Sequence, residues 1–239
     1  MSSATVLSSN DRAILGALFD AEASLNKGHN ANVQQDAAES SPDSILDTTI
    51  AAEQRAVRLV NSPSPSQGDV ESVIGQFTDI IIANPSYASA YNNRAQSYRL
   101  LANSETDSSI LRNILCDLET AIALTTSSSS LSPVSAHDAR VLSSAHTHRG
   151  YLFLRASTSP SFLNLLVSLH LPLLANTITS AQFEELASTD FAIAGRYGNK
   201  TARDLAVKTN PYAKLCGQIV REALQREIKT YYEGVRVVH

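Results

Sequence analysis

The chain has 239 residues, 43% of them hydrophobic, which is enough to bury the core of one or two domains. Its formal charge is −4 with a pI near 5.8 and no Lys/Arg cluster, so the electrostatic footprint of a nucleic-acid or anionic-membrane binder is missing. The two cysteines, Cys116 and Cys216, lie far apart, each inside an apolar helical pattern; this predicts reduced, buried thiols in a cytoplasmic or nuclear protein and speaks against a disulfide framework.

At the N-terminus, MSSATVLSSNDR has neither a basic nor a long apolar region, so no secretory signal is expected and the mature chain should begin near Met1. Asn10 and Asp11 can cap a short helix whose apolar residues Ile14, Leu15, Leu18 and Phe19 form one side. From Ala21 to Asp43 the composition turns to Asn, Gln, Ser, Asp and Ala, too poor in large apolar groups to offset ordering entropy, and reads as a linker. Residues 1–43 are thus set apart from a folded unit spanning 44–239.

Ile45–Val60 has helical spacing, with Ile45, Thr49, Ala52, Ala56 and Leu59 along one side, and a Pro/Ser break follows at Asn61–Gly68. Val70, Val73, Ile74, Phe77, Ile80 and Ile81 then repeat at i, i+3, i+4, i+7, the pattern of a helix with one buried stripe, which Pro85 stops. Here a period matters more than any single helix, because a fixed period means that each unit buries its face against its neighbours. Val73, Phe77, Ile80 and Pro85 occupy the small, aromatic, small and Pro places of the second helix of a tetratricopeptide repeat. The next helix has Tyr91 at the large aromatic place, Ala95 where a small residue permits close contact, and Tyr98 three further.

Ile114, Leu118, Ala121 and Leu124 repeat the second-helix pattern after an enlarged turn near Ala102–Ser108. A Ser-rich connection, Thr125–Pro133, ends that unit. Val141–Ala156 reads as another first helix, with Gly150 at the close-contact place and Phe153 beyond it. Its partner covers Gln182–Tyr197, where Ala187, Phe191 and Ala194 show the small, aromatic, small spacing. Between them Ser157–Ala181 carries FLNLLVSLHLPLL; its apolar run Phe162–Ala175 is interrupted by Asn164, His170 and Pro172 and is shorter than the about 20 residues of a spanning helix. It should form a short helix buried against the array, filling a gap or shielding part of the binding surface. Lys200–Lys208 can form a short helix, and Asn210-Pro211 starts a long one whose apolar side, Tyr212, Leu215, Cys216, Ile219, Ala223 and Leu224, should cover the last hairpin. The expected architecture is all-α: an α-solenoid of about three tetratricopeptide hairpins, at 45–87, 88–128 and 142–199, with capping helices over 200–233.

Chemistry-bearing motifs are scarce. His146 and His148 fall on opposite sides of one helix, the cysteines have no ligand-spaced partners, and no phosphate loop or nucleophile elbow is present. The expectation is a non-enzymatic protein without metal or cofactor. The first-helix residues Asn92, Asn93, Gln96, Arg99, Thr147, His148, Tyr151 and Arg155 should line a concave, peptide-binding face rich in amide, basic and aromatic groups.

NDRAILGALFD at Asn10–Asp20, ASAYNNRAQ at Ala88–Gln96, Asp190-Phe191 with Ala194, and NPYAKLC at Asn210–Cys216 resemble the tetratricopeptide repeat protein 36 family. That resemblance implies three repeats plus a C-terminal helix and a non-enzymatic adaptor or scaffold in a fold widely used by co-chaperones. YNNRAQSY also resembles the motif of chaperone-binding repeats, where the Asn matching Asn93 helps to hold a C-terminal carboxylate, so the implied partner is a heat-shock chaperone or a chaperone client. Such a clamp needs several converging donors. Its other places fall near Glu53 and Val57, and near Ser144 and His148, so two basic donors are missing or weakened. A second expectation is an accessory subunit whose groove is masked by the 157–181 insertion or the N-terminal helix and which binds partners elsewhere.

Overall fold

Helix-forming stretches separated by capped turns decide the architecture. The structure, a computed structural model, describes residues 33–34, 44–62, 64–101, 106–127, 134–176 and 179–236. The expected Asn10–Asp20 helix lies outside them, as does most of the 21–43 linker. Within that linker Val33–Gln34 (β1) pairs in parallel with Val134–Ser135 (β2). All the longer elements are helices: α1 Ser44–Val60, α2 Gln67–Ala83, α3 Ala88–Arg99, α4 Ser108–Ser127, α5 Ala136–Thr158, α6 Pro160–Ser168, α7 Ser180–Arg196, α8 Lys200–Thr209 and α9 Pro211–Arg236.

Local chemistry sets their ends. Ser66 and Asp69 form a reciprocal capping box that starts α2 right after the Pro/Ser break, and Thr179 with Gln182 does the same for α7. Ser135 caps α5 by accepting from the Asp138 N–H at 3.0 Å, so this helix begins five residues before the expected Val141. α1 packs on α2, α2 on α3, α3 on α4, α4 on α5, α5 on α7 and α7 on α8; α3 also touches α5. This is the neighbour-on-neighbour order of a helical repeat.

The signature residues supply the core. Val73, Phe77 and Ile80 gather with Ala56 and Tyr87 between α1, α2 and α3. Tyr91 donates to the Pro85 carbonyl at 3.1 Å, tying the turn to the next helix. Ala95 is fully buried and Tyr98 packs beside it against a larger cluster holding Leu118, Phe153, Ala187, Phe191 and Ala194. Ala121 joins Ala88 and Val141 where the second hairpin meets the third. At Gly150 an added Cβ would lie 3.0 Å from the Phe191 ring and 3.2 Å from Asp190 Cβ, so the close-contact place needs the missing side chain.

Two buried ion pairs recur in phase with the repeat. Arg94 on α3 grips Asp117 on α4 through Nε and Nη2 at 2.8 and 2.7 Å, and Arg149 on α5 grips Asp190 on α7 through the same two nitrogens at 2.8 Å each. Each Arg directly precedes the small close-contact residue (Ala95, Gly150), and each Asp directly precedes the large core residue (Leu118, Phe191). In the first hairpin Arg55 precedes Ala56 but is exposed, and Gln76 stands before Phe77 where an Asp would be needed.

The insertion fills a gap in the core. Phe162, Leu166, Leu169, Leu171 and Leu174 are buried in the main cluster, and Arg112 of α4 donates to the Leu169 carbonyl at 2.6 Å.

Two expectations are corrected. Cys116 and Cys216 are both exposed: Cys116 lies beside the buried stripe of α4, and Cys216 lies on α9, whose residues 211–232 are all exposed. The capping role belongs to α8, whose Ala202 is buried against the main cluster and whose Arg203 backbone approaches Gly195 closely. α9 stands clear, with residues 211–232 exposed, including Tyr212, Leu215, Ile219 and Leu224, and it is anchored by contacts with α8 and a Lys214–Glu184 ion pair. Once α8 has closed the end of the array, no core remains for α9 to cover. Among the described residues no helix is long and apolar enough to cross a membrane.

Removing Asp190 would strand the buried Arg149 guanidinium, so Asp190→Ala should lower the unfolding free energy by about 3–5 kcal/mol. Gly150→Ala should lower it by roughly 1–3 kcal/mol, because Phe191 must move. Urea unfolding followed by circular dichroism reads both; wild-type midpoints would contradict the assigned packing.

Candidate functional groove

The clasp fixes the rotation of each first helix. Residues one apart on a helix differ by about 100°, so with Arg94 and Arg149 turned into the hairpins, Asn93 and His148 are turned away from them. Around His148 a groove of about 690 Å³ opens between α3, α5 and α8, lined by Gln96, Arg99, Arg140, Ser144, Thr147, His148, Tyr151, Tyr197 and Asn199 among others. A smaller cavity of about 240 Å³, lined by Ser89, Asn92, Asn93 and His137, continues it and shares Gln96, Arg140 and Ser144.

Two bonds tie the walls together. Gln96 of α3 donates to Ser144 Oγ of α5 at 2.9 Å. Asn199 caps α8 by accepting from the Ala202 N–H and donates from its amide to Thr147 Oγ1 at 2.9 Å, so the end helix is set by the groove floor. Tyr151 is 44% exposed and offers a ring face at the rim.

The electrostatics lean one way. Arg99 and Arg140 line the groove, and among the described lining residues there is no Asp or Glu. His148 is only 6% exposed, yet neither of its ring nitrogens has a hydrogen-bond partner among the described residues. Burial, with the Arg99 cation adding to it, pushes the His148 imidazole down to about 4, so it is neutral at physiological pH. Asn92 is 4% exposed and its Oδ1 is likewise without a partner. Buried polar atoms are normally paired, and both of these line the continuous groove.

Of the eight expected binding residues, Gln96, Arg99, Thr147, His148 and Tyr151 meet in this groove, and Asn92 and Asn93 line its extension. Arg155 instead lies over the Phe162 ring, 4.6 Å from its centroid, because the apolar insertion passes beside it. Asn93 donates at 2.6 Å to Glu53, a buried carboxylate that also accepts from the Tyr87 and Ser89 hydroxyls. Burial and the neighbouring Glu53 hold the Tyr87 hydroxyl well above the usual phenol range. Glu53, which stands near a basic place of the chaperone clamp, therefore puts an internal carboxylate on the amide that the clamp would offer to a ligand. Sequence reasoning passed over Arg140, although Arg140, Ser144, Thr147 and Tyr151 follow one helical face once α5 is extended back to its Ser135 cap. Residues 157–176 contribute nothing to the groove lining.

The two hairpin carboxylates sit in unequal settings. Burial raises the Asp117 carboxyl above its ordinary range despite Arg94. For Asp190 burial acts in the same direction, but the bonds from Arg149 and from His146, whose Nδ1 lies 2.7 Å away, together hold it below the usual carboxylate range. His146 is thus fixed within the third hairpin while His148 faces the groove.

Comparison with known proteins places the chain among a set of relatives matched along nearly their whole length. It is 38% identical to the L-tyrosine degradation gene cluster protein hmgX of Aspergillus fumigatus, over 93% of this chain and 94% of that one. Tetratricopeptide repeat protein 36 of Danio rerio is 28% identical over 92% and 94% of the two chains, and that of Homo sapiens 24% over 90% and 93%. No protein-family model matches the sequence, and no solved structure matches it.

The unfolded chain binds a proton at His148 near pH 6.5 and the folded chain only near 4. Stability from this group is therefore complete above pH 6.5 and is lost as pH falls towards 4, by roughly 3 kcal/mol. Urea unfolding of wild type and His148→Gln across that window should show the extra loss in wild type alone; parallel profiles would contradict the burial of a neutral ring.

Proposed function

The chain belongs to the tetratricopeptide repeat protein 36 family, and from that premise we propose that it is a non-enzymatic adaptor holding a segment of another protein in the groove between α3, α5 and α8. The helices form an α-solenoid of tetratricopeptide hairpins, with the first-helix row as its concave wall. One observation carries the reading: buried, unpartnered polar groups at His148 and Asn92 line a groove with two guanidinium residues and no carboxylate among its described lining residues. Leaving such groups unpaired costs free energy that an incoming peptide would recover.

The partner segment is better matched to the Arg99–His148 part of the groove than to a carboxylate clamp on a chaperone C-terminus, since Asn93 is engaged by Glu53. The Aspergillus relative is named for an L-tyrosine degradation gene cluster, and proteins of L-tyrosine degradation are the first partners to test. A second reading is favoured by α9, whose exposed Leu215, Ile219, Val220, Leu224 and Ile228 could hold a partner outside the groove.

Affinity capture from native extract with wild type, Arg99→Glu and Tyr151→Ala in the groove, and Ile219→Asp/Leu224→Asp on α9 separates the two. Loss of at least about tenfold in the captured partner with the groove variants alone, equivalent to about 1.4 kcal/mol, is the expected result. Loss with the α9 variant alone would transfer the site to α9, and capture unaffected by any of them would refute both.

A further inference from the structure

Helix α9 carries an apolar surface of its own, apart from the groove. Its root is fixed by contacts with α8 and by the Lys214–Glu184 ion pair, and beyond that root it projects with residues 211–232 exposed. Ala213, Gly217, Val220, Leu224, Ile228 and Tyr231 follow one another at intervals of 4, 3, 4, 4 and 3 residues. The mean interval matches the helical repeat of 3.6 residues, so the six form one straight stripe about five turns long. Val220, Leu224, Ile228 and Tyr231, with Tyr232 at the edge of the stripe, are each more than half exposed. Such a row is costly in water unless something covers it.

We propose that a second copy of this chain covers it, the two α9 helices lying antiparallel about a two-fold axis at Leu224. Counted outwards from Leu224, the intervals are 4 then 3 in both directions, as such an axis requires. Leu224 then meets its own counterpart, Val220 meets Ile228 of the second copy and Gly217 meets Tyr231, so a smaller residue faces a larger one in each outer layer. Gly217 has no purpose within a single chain. It lies inside a helix, where glycine is unfavourable, and an added Cβ would meet nothing within 4 Å. Facing the Tyr231 ring of a second copy, the missing side chain makes the room that the ring needs. By ordinary side-chain areas each copy offers roughly 450 Å² of apolar surface on this stripe. Pairing therefore withdraws roughly 900 Å² in all, the size of a reversible association and not of a permanent one. Each dimer carries two grooves, so on the groove reading a partner that is itself oligomeric would be held through two segments at once.

Sedimentation equilibrium of the full chain from about 1 to about 300 µM, a range that brackets micromolar association, should show the mass rising from 25.7 kDa towards twice that value. Leu224→Asp should weaken association at least about tenfold, while Ile219→Asp, about 140° around the helix from Leu224, should leave it unchanged. Gly217→Leu adds apolar surface and favours the helix, so indiscriminate stickiness would increase with it; here it should weaken association at least about tenfold, and Tyr231→Ala added to it should restore pairing. All of these positions are exposed, so circular dichroism should show every variant folded. Under oxidation Leu224→Cys should link two copies through position 224, whereas the native Cys216 thiols, about two turns from the axis on opposite sides, should not link. A chain monomeric throughout, dimers that survive Leu224→Asp, Gly217→Leu without effect, or linkage through Cys216 would overturn the proposal. A monomer whose partner capture depends on Leu224 would give the stripe to a foreign segment instead. Capture sensitive to Arg99→Glu leaves the groove reading standing whatever the mass, because the two surfaces share no residue.

Discussion

A guanidinium on the first helix of a hairpin closes on a carboxylate of the second, and it does so twice, at Arg94–Asp117 and Arg149–Asp190. Both pairs are bidentate and nearly removed from water, a geometry in which either ion alone would be costly. Such a contact offers specificity more than stability. It sets the rotation of one helix against the other, and with it the small residue that follows each Arg drops onto the large residue that follows each Asp. The residue preceding each Arg is then directed to the opposite duty: Asn93 and His148 leave the hairpin and face the first-helix row. Where the clasp is missing, in the first hairpin, a different polar bond takes over. Glu53 reaches across to Tyr87, Ser89 and Asn93 and fastens α1 to α3.

Much of this order was legible in the sequence. The Val73, Phe77, Ile80, Pro85 series and the Ala187, Phe191, Ala194 series mark positions whose burial follows from helical periodicity and from the volume each place allows. The insertion was legible for a similar reason, since a stretch as apolar as FLNLLVSLHLPLL is costly in water and had to be buried. The clasp was visible only as separate letters: Arg94 and Asp117 are 23 residues apart, Arg149 and Asp190 are 41 apart, and unequal insertions hide the shared phase. Glu53 illustrates a different limit. A carboxylate near a basic place reads as a missing donor, and only the fold shows that it supplies an acceptor to the very amide that the clamp would use. For α9, amphipathicity implied a partner but could not show that α8 had already closed the array.

Function follows from how the polar groups are divided. Asp117, Asp190 and Glu53 are consumed in holding helices together, which leaves the groove between α3, α5 and α8 with Arg99, Arg140, a neutral His148 and exposed Tyr151. Burial that keeps His148 uncharged also keeps it unsatisfied, a local cost that the proposed binding in the groove would relieve. The insertion thickens the core beside Arg155 without narrowing that groove, in keeping with a structural role.

The central claim is that partners are held in this groove. Site-specific photocrosslinking addresses it most directly, with a benzoylphenylalanine placed at Tyr151 on the groove rim or at Ile219 on α9, and with the captured partner present. Adducts formed from position 151 and not from position 219 are the predicted result. Adducts from position 219 alone would contradict the account and move the binding surface to the terminal helix.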